Sequence, residues 1–499
     1  MDTLAERCRN VASAESQGVS TEKSVDLEKV DEVGKIEEGK EIPAVMANVV
    51  IKEQAYITLR SNKWHNPSAP DYDMKLPPAT YEEAMQRPDK DKWLEAMQVE
   101  LQMMKDMNVY KVMKLPKGRK AIGCHWVLEF KEDNKGGSVY KARLVTQGFS
   151  QVPGVDYGAT FAPVIKPVSV RLLVAFAAQH DWELDTFDVK HTFLWGILKE
   201  EIYMCQPKGF EDGDWCTIVW LMLRTIYGLK QSALEWYEQV CVAMFSLGFK
   251  RSECDHALFY YDELNLAVST VRIRCFVGWH VDNGMAASNC RPFLQRVKSS
   301  IAERFRLKDL GPITKYLGMQ FEHDRTCRII WVHQSEYISF LLQEYGLLDC
   351  SPVHLPADPK AIFGLAETSY PEVTNLRSVY LKIIGELIYL VVNTHPDISY
   401  IVNALAQHNV QPETRHYTAA KRVLRYLAGM LDLCLRYQSD TDNKQLFAYA
   451  DASWAKNQDA DPSQGMLGTM LEASYHMCRR SNLPSPFPPP RQSISHRHT

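Results

Sequence analysis

The sequence predicts an α+β fold, because helical and strand-like periodicities both occur and do not alternate regularly along the chain. Trp93, Met97 and Leu101 recur at every fourth residue, which is the spacing of one helix face. Residues 126–131 instead alternate between an aromatic or aliphatic face and a second face, which is the spacing of a strand. Both patterns recur further along the chain without the regular strand–helix order of a doubly wound sheet.

The bulk composition is that of a globular protein, with 45% hydrophobic and 24% charged residues. The longest aliphatic stretches, such as LIYLVV at 387–392, are too short to span a bilayer. The first ten residues contain no apolar core of signal-peptide length. Twelve scattered cysteines without a C-x-x-C pair argue against a zinc site and a disulfide framework. We therefore expect an intracellular protein, cytoplasmic or nuclear, that is neither secreted nor membrane-bound.

The formal net charge of −4 comes entirely from the N-terminal segment. Residues 1–60 carry 12 acidic and 8 basic side chains, whereas residues 61–499 carry 49 of each sign. The first segment is rich in Glu, Lys, Ser and Val and lacks periodicity, so it is predicted to be a disordered acidic leader. A neutral body neither requires nor excludes nucleic acid, because a local basic stripe decides that binding.

The predicted elements follow in chain order. Thr80 and Glu83 have the spacing of a capping box, which begins the first amphipathic helix. Two alternating runs around the turn EDNKGGS form a hairpin over 126–145. Further elements are a helix at 168–179, a strand at 184–189, a helix at 220–248, a strand over 271–275, a helix over 293–305 that stops near Gly311, and a helix at 417–428.

The C-terminal third is predicted to be more helical. In the helix at 417–428, apolar residues form a stripe, and Lys421, Arg422 and Arg425 lie off it. Such a basic face is either solvated or in contact with nucleic acid, and the pattern alone leaves both interpretations open. Residues 473–499 end in NLPSPFPPPRQSISHRHT and are predicted to be a disordered Pro-rich tail.

An apolar run breaks on polar residues at His280-Val281-Asp282-Asn283, and this break has two interpretations. Asn283-Gly284 between strand-like residues is a strong hairpin signal, so a plain turn is one interpretation. A carboxylate that holds a metal at the turn is the other. Asp188, which ends another strand-like run, is either a strand-end residue or the partner carboxylate, since Mg²⁺ prefers carboxylate oxygens and substrate phosphates. Two such ions would suit phosphoryl transfer, but only the fold can bring residues 188 and 282 together.

Six ordered blocks resemble the reverse transcriptase of copia-type LTR retrotransposons. They cover about three quarters of the chain, from about Thr80 to about Trp454, and a short block AYADASWA at 448–455 resembles the start of an RNase H domain. The blocks are KARLVTQGFSQVPGVDYGATFAPV at 141–164, FDVKHTFLWGILKEEIYMCQPKGF at 187–210, IYGLKQSALEWY at 226–237, WHVDN at 279–283, KDLGPITKYLGMQF at 308–321 and AAKRVLRYLAG at 419–429.

The resemblance implies a right-hand polymerase with fingers, palm and thumb at residues 80–345. A helical connection would follow at 346–440, and a truncated RNase H-like segment at 441–472. It implies RNA-directed DNA polymerase activity with Mg²⁺, or Mn²⁺ in its place, acting on an RNA or DNA template-primer and deoxynucleoside triphosphates. Two alternatives stay open: a catalytically inactive remnant that at most binds nucleic acid, and a protein with no nucleic-acid role.

The resemblance also implies roles for particular residues. Asp188 and Asp282 match the first metal-binding aspartate and the leading aspartate of the family's Tyr-x-Asp-Asp hairpin. Phe193 resembles the bulky residue that excludes a ribose 2′-hydroxyl, although a core aromatic is the alternative. Lys141 and Arg143 resemble the cations that grip the triphosphate, or they are ordinary residues of an exposed strand.

Two further groups come from the same blocks. Tyr227, Gly228 and Lys230 resemble the block that positions template and nucleotide. Tyr316, Leu317 and Gly318 resemble the primer grip, and core packing is the alternative for Tyr316. These six residues are named by resemblance alone, because their spacing suggests no particular chemistry.

The chain departs from the family at three places. His280 stands where the hairpin has its tyrosine, a modest change because histidine also offers a flat ring and a hydrogen-bond donor. Asn283 stands where the hairpin has its second aspartate, which removes one negative charge from the metal site and leaves a neutral amide. A loss of about 3 kcal/mol of transition-state stabilisation would slow the reaction roughly a hundredfold. In the RNase H-like segment only Asp451 falls on a family motif, and Glu472 follows too soon, so we expect a vestige without activity. With no integrase, protease or zinc knuckle recognisable before Thr80, the sequence resembles a fragment of a larger polyprotein.

Overall fold

The computed structural model of the chain describes residues 76–132, 138–214, 217–264, 272–358, 374–439, 447–453, 466–472 and 475–479. It contains both helices and strands, and the named strands pair antiparallel. This mixture confirms the predicted α+β class. The predicted leader at 1–60 and the Pro-rich sequence at 483–499 lie outside the described residues.

The first described helices are α1 (Tyr81–Gln86) and α2 (Lys90–Asp106). The predicted capping box is present in part. The Thr80 hydroxyl accepts from the Glu83 amide at 3.2 Å, whereas the Glu83 carboxylate accepts from Ala79 rather than from Thr80. The single predicted helix is split at Arg87, which is extended because a proline follows it. The predicted stripe is buried in α2.

The predicted hairpin is confirmed as β2 (Cys124–Glu132) and β3 (Ser138–Thr146), which pair antiparallel. A three-stranded sheet lies beside it in the order β1 (Tyr110–Lys114), β6 (Ile218–Arg224), β5 (Ile197–Cys205). The helix predicted for 220–248 is therefore wrong over its first part. Its apolar run forms the central strand of this sheet, and the helix α4 (Ser232–Ser246) begins only after the Tyr227-Gly228 turn.

A six-stranded sheet forms the centre of the molecule. Its strand order is β11-β4-β10-β9-β8-β7. One face packs under α3 (Pro167–His180), and the other packs under α4 and α5 (Arg291–Arg304). The strands are β4 (Glu183–Val189), β7 (Lys250–Arg251), β8 (Leu258–Leu264), β9 (Arg272–His280), β10 (Asn283–Ser288) and β11 (Leu307–Pro312).

The predicted elements of this region are mostly confirmed. The helix at 168–179, the strand at 184–189 and the strand pair around residue 280 occur as expected. The helix predicted to stop near Gly311 ends earlier, at Arg304, and Gly311 lies in β11 at an irregularity of its pairing with β4. A positive φ of 71° at Gly311 accompanies that irregularity.

A five-stranded sheet follows, in the order β12-β13-β14-β15-β18. The last strand, β18, lies in the segment predicted to be a disordered tail, and that prediction is wrong for these five residues. They pair with β15, and the Pro-rich sequence begins only after them. The strands are β12 (Lys315–Tyr316), β13 (Met319–Asp324), β14 (Ile329–His333), β15 (Leu433–Gln438) and β18 (Tyr475–Arg479).

Four helices form a separate core. The predicted helix at 417–428 is confirmed within α9, whose apolar stripe is fully buried. Lys421, Arg422 and Arg425 are half-buried, and Arg425 donates to the carbonyl of Ser351 at 3.0 Å. The helices are α6 (Ser335–Glu344), α7 (Thr374–Asn393), α8 (Ser399–Ala406) and α9 (Thr414–Ala428).

Two further strands, β16 (Phe447–Ser453) and β17 (Met466–Glu472), form an isolated antiparallel ribbon. Asp451 is opposite Gly468, whereas Glu472 is opposite Phe447, so the two acids occupy different levels of the ribbon. Within the described ranges, no helix combines the length and hydrophobicity needed to cross a membrane.

Candidate metal and anion site

The central hairpin turns on two residues, Val281 and Asp282. His280 and Asn283 are the last paired residues of β9 and β10. Val281 has a φ of 56°, a left-handed conformation that a β-branched residue adopts only when its surroundings impose it. The Trp236 indole donates to the Val281 carbonyl at 2.7 Å and holds the turn from α4. The Asn283-Gly284 signal predicted the hairpin correctly, but these two residues begin the second strand.

Asp188 lies directly beside this turn. On β4 it is the register partner of Asn283, and the amide of Val189 donates to the carbonyl of Asp282 at 2.9 Å. Because side chains alternate along a strand, Asp188 shares a face with Leu184, and Asn283 shares the same face with Met285. Asp188 and Asn283, which are 95 positions apart in the sequence, are therefore cross-strand neighbours.

The close approach of β4 and β10 depends on Gly284. A Cβ at this position would overlap the Phe187 ring on the neighbouring strand. Phe187 is 1% exposed and packs against the Trp279 ring. The glycine therefore lets a large aromatic side chain fill the space behind the turn while the two strands keep their register.

Asp188 is a carboxylate with several lysines near it, so charges of both signs lie close together. Burial raises the pKa of its carboxyl, while the nearby charges of Lys308, Lys131, Lys141 and Lys190 act in the opposite direction. A half-buried carboxylate surrounded by lysines suits a site that binds a metal ion and a polyphosphate at once.

Asn283 already interacts with the second carboxylate. Its side-chain amide donates to Asp282 Oδ1 at 2.8 Å. An aspartate here would place a second negative charge in the same position. The asparagine instead donates a hydrogen bond to an oxygen that a metal would need, so it both removes negative charge from the site and competes with the ion.

Asp188 and Asp282 fit a divalent ion only if phosphate oxygens of a bound substrate complete its ligands. Among the described residues, no group of three or more His, Cys, Asp or Glu side chains is arranged to enclose a metal. Asp188, on β4, and Asp282, in the turn before β10, supply two carboxylates at the same end of these neighbouring strands. Mg²⁺ is commonly held by one or two carboxylates plus substrate phosphates, and this donor set matches that arrangement.

Lys141 and Arg143 lie on β3 and are half-buried, not on an exposed strand. Arg143 pairs with Glu129 at 2.9 Å across the hairpin, and its guanidinium lies 5.3 Å from the centre of the Tyr227 ring. Burial lowers the pKa of Lys141, and the neighbouring Arg143 lowers it further. Two adjacent cations in a half-buried site form a strong attraction for an anion.

The turn at Tyr227 and Gly228 follows β6 and lies against the end of β3. The Tyr227 carbonyl accepts from both the amide and the hydroxyl of Thr146, at 2.9 and 3.0 Å. Gly228 has a φ of 93°, and a Cβ there would overlap the Thr146 carbonyl. Only glycine satisfies both conditions. The predicted positioning block therefore holds Arg143 and Tyr227 against each other.

Phe193 and Lys230 lie at the border of the same region. Phe193 is half-buried in a short 3₁₀ helix that follows Asp188, and its ring meets the Tyr227 ring edge-on at 5.1 Å. Lys230 is exposed, and its ammonium lies 5.1 Å from the centre of the Tyr157 ring. Phe193 thus contacts the apolar core and also borders the predicted nucleotide residues.

Tyr316 is a core residue whose hydroxyl lies close to the central hairpin, and its role in a primer grip stays a prediction. It is 4% exposed within the core, and its hydroxyl lies 3.5 Å from the Asn283 carbonyl, which is the limit of a weak hydrogen bond. Leu317 and Gly318 both have positive φ, at 46° and 71°, and the Tyr389 hydroxyl donates to the Leu317 carbonyl. This tight turn is fixed against α7 and lies next to the hairpin.

Two residues that the sequence reasoning did not select also belong to the region. Glu100 on α2 is 5% exposed, and His191 follows Asp188 by three positions. Glu100 Oε2 lies 3.9 Å from His191 Nδ1, too far for a hydrogen bond. Burial lowers the pKa of His191 to about 4, and Lys141 lowers it as well, so the ring is neutral near pH 7. The sequence did contain a signal for Glu100, because this glutamate lies within the apolar stripe of α2.

The chain matches known reverse transcriptases. The sequence model of the family described as reverse transcriptase (RNA-dependent DNA polymerase) matches residues 107–359. A retrovirus-related Pol polyprotein from transposon TNT 1-94 of Nicotiana tabacum is 32% identical over 77% of this chain and 28% of its own length. The corresponding polyprotein from transposon RE2 of Arabidopsis thaliana is 34% identical over 75% of this chain and 25% of its own length.

A shorter relative is matched over most of its length. A putative transposon Ty5-1 protein of Saccharomyces cerevisiae is 30% identical over 57% of this chain and 88% of its own sequence. By contrast, this chain covers only 28% and 25% of the tobacco and Arabidopsis polyproteins. The similarity therefore concerns one part of those longer proteins.

Proposed function

Because the chain belongs to the reverse transcriptase family of copia-type retrotransposon Pol polyproteins, we propose that it is an RNA-directed DNA polymerase with a weakened metal site. The observation that carries the proposal is the register of Asp188 and Asn283, which brings the Asp188 carboxylate beside the Asp282 turn. The substrates are an RNA or DNA template-primer and deoxynucleoside triphosphates, which matches the basic surroundings of Asp188.

We assign the polymerase parts as follows. The six-stranded sheet is the palm, and the β2–β3 hairpin with α1, α2 and the three-stranded sheet forms the fingers. The thumb begins after β11, and the helices α7 to α9 form the connection region. The β16–β17 ribbon, with Asp451, is the RNase H vestige. This division assigns Lys141 and Arg143 to the fingers and Asp188 and Asp282 to the palm.

The reaction is attack of the primer 3′-hydroxyl oxygen on the α-phosphorus. A new P–O bond forms, the bond from the α-phosphorus to the oxygen that bridges it to the β-phosphorus breaks, and pyrophosphate and the hydroxyl proton are released. Asp188 and Asp282 would hold Mg²⁺, or Mn²⁺ in its place, and such an ion lowers the pKa of the hydroxyl and neutralises charge on the phosphates. Lys141 and Arg143 bind the triphosphate oxygens, and Phe193 limits the space beside the sugar. Tyr316, Leu317 and Gly318 support the primer end near the turn.

Asn283 is the reason to expect slow chemistry. Its amide donates to Asp282 at 2.8 Å where the family pattern has a carboxylate. If about 3 kcal/mol of charge stabilisation is lost, the rate falls roughly a hundredfold. The limiting case is an inactive remnant that binds a primer-template without extending it, and the same hydrogen bond favours that second candidate.

Primer extension on a defined RNA template tests the proposal. We expect weak extension by the wild type with Mg²⁺, more with Mn²⁺, and none by Asp188→Asn. Salt-sensitive binding of the primer-template without extension would favour the remnant, because phosphate contacts depend steeply on ionic strength. Failure to bind the primer-template at low salt would contradict both.

A further inference from the structure

The turn that joins β12 to β13 has an unfavourable conformation for its sequence. Tyr316 and Met319 are the paired residues that flank it, so the loop consists of Leu317 and Gly318 alone. Both loop residues have positive φ, at 46° and 71°, which is the pattern of a type I′ hairpin turn. Asparagine and glycine suit that pattern, whereas a leucine at positive φ is strained. Leu317 therefore keeps this conformation only if contacts from outside the hairpin hold it.

Tyr389, on α7, supplies such a contact to both loop residues. Its hydroxyl donates to the Leu317 carbonyl, and a Cβ at position 318 would overlap the same hydroxyl oxygen. Gly318 is therefore required for this close approach as well as for its positive φ. The Tyr389 ring meets the Tyr337 ring of α6 edge-on, with 5.0 Å between the ring centres. The hydroxyl thus reaches the turn from a ring that is packed between two helices.

The last turn of α7, which carries Tyr389, is bound to α3 on the face of the central sheet. The guanidinium of Arg171, on α3, donates to the carbonyls of Val392 and Asn393, the second at 3.1 Å. These carbonyls belong to the last turn of the helix and have no partner within it, and a cation there is also favoured by the helix dipole. The Asn393 side chain donates back to the Tyr389 carbonyl at 2.8 Å. The position of Tyr389 is therefore set relative to the central sheet.

The strained turn directly follows Tyr316, whose hydroxyl lies 3.5 Å from the Asn283 carbonyl of the central hairpin. We propose that Tyr389 is a positioning residue for the primer end, which holds Leu317 and Gly318 in this conformation before a primer binds. The inference rests on the proposed function, because it requires the turn to contact the primer. Without the hydroxyl, strain at Leu317 favours other conformations of the turn. The apparent Kd for a primer end then rises as the inverse of the fraction that keeps the present one.

The test measures how much a primer end adds to binding, without chemistry. The full chain is titrated with a labelled template strand alone and with the same strand annealed to a recessed primer, at one salt concentration. Wild type and Tyr389→Phe are compared by the ratio of the two Kd values. Tyr380→Phe is the matched control, because it removes from the same helix a hydroxyl that donates to a different leucine carbonyl, that of Leu405, at 2.6 Å. That bond lies within the helical core, away from the turn.

We expect Tyr389→Phe to bind the primer-template about tenfold more weakly than the wild type and to bind the template alone equally well, because one strained residue is released. Tyr380→Phe should keep the wild-type ratio. A spectroscopic readout examines the primer end itself. The fluorescence anisotropy of 2-aminopurine at the primer 3′ terminus should be lower in the Tyr389→Phe complex, whereas the same base within the duplex should show no change. Equal weakening for both nucleic acids, or an equal effect of Tyr380→Phe, overturns the inference.

The inference and the proposed function can fail separately. If the wild type binds the primer-template no more tightly than the template alone, the chain does not recognise a primer end, and both are wrong. If the wild type shows the preference and Tyr389→Phe retains it, only the inference is overturned. Tyr389→Phe keeps the ring packed on Tyr337, and its circular dichroism and melting temperature show whether it is folded. Should it not fold, Arg171→Gln replaces it, because it releases the turn of α7 that carries Tyr389, and an unchanged ratio in that variant overturns the inference.

Discussion

Asp188 and Asn283 are register partners on adjacent antiparallel strands, and the turn residue Asp282 precedes the second of them. The pair combines a half-buried carboxylate with an amide that already donates to Asp282. Positions 188 and 283 therefore share one face of the central sheet, and exchange of the amide for a carboxylate changes the charge of the site without changing its frame.

The hydrogen bond between Trp236 and Val281 should contribute to the stability of the turn at Val281 and Asp282. Trp236→Phe removes the indole donor and leaves the Val281 carbonyl unpaired. We expect the free energy of unfolding to fall by about 1–2 kcal/mol more than it does for Trp→Phe at a buried position without this hydrogen bond. Trp93→Phe is the control, because Trp93 is also fully buried and its indole nitrogen has no hydrogen-bond partner. Melting temperatures of the two variants provide the comparison, and equal losses would count against a role for this bond.

Gly228 should be intolerant of any side chain. Gly228→Ala introduces a Cβ into the Thr146 carbonyl and strains a φ of 93°, so the Tyr227 turn must separate from β3. We expect a loss of about 2–4 kcal/mol of stability. Gly154→Ala is the control, since that glycine also has a positive φ, 75°, but has open space around its Cβ position. Similar losses in both variants would show that strain alone, not the contact with Thr146, is responsible.

Burial of Glu100 should make stability depend on pH. Its pKa is raised from 4.5 to about 7 in the folded protein, so the folded state binds a proton that the unfolded state has already lost. The unfolding free energy therefore falls as the pH rises through that interval, by about 3 kcal/mol at most.

Glu100→Gln should remove this loss. We expect its melting temperature to exceed that of the wild type at about pH 8 and to approach it at about pH 5. Glu95→Gln, on the exposed side of α2, should show no such pH-dependent difference. A difference between wild type and Glu100→Gln that is the same at both pH values would mean that the carboxyl does not titrate in this interval.

Much of the fold could be predicted because its elements have strong local patterns. The buried stripe of α2 and the alternation in β2 both follow from side-chain periodicity. The run at 218–224 could not be assigned correctly in this way, because a short, continuously apolar segment has no distinguishing period. Its position between β1 and β5, which makes it a central strand, is a tertiary property.

The candidate site was predictable in part. Asp188 and Asp282 could be named from motifs, but only the pairing of β4 with β10 makes them neighbours. Glu100 and His191 were missed because each belongs to the site through packing of distant elements. A glutamate in the apolar stripe between Met97 and Leu101 was a visible inconsistency, and buried charge of this kind indicates a functional or compensated position.

Single-nucleotide incorporation by wild type, Asn283→Asp and the double variant Asp188→Asn with Asn283→Asp tests the central claim most directly. With a defined primer-template and Mg²⁺, Asn283→Asp should extend the primer roughly a hundredfold faster than the wild type, because a second carboxylate replaces the amide beside Asp282. The double variant should show no extension. Equal rates for wild type and Asn283→Asp, or extension that persists without Asp188, would contradict the assignment of this hairpin as the metal site of a polymerase.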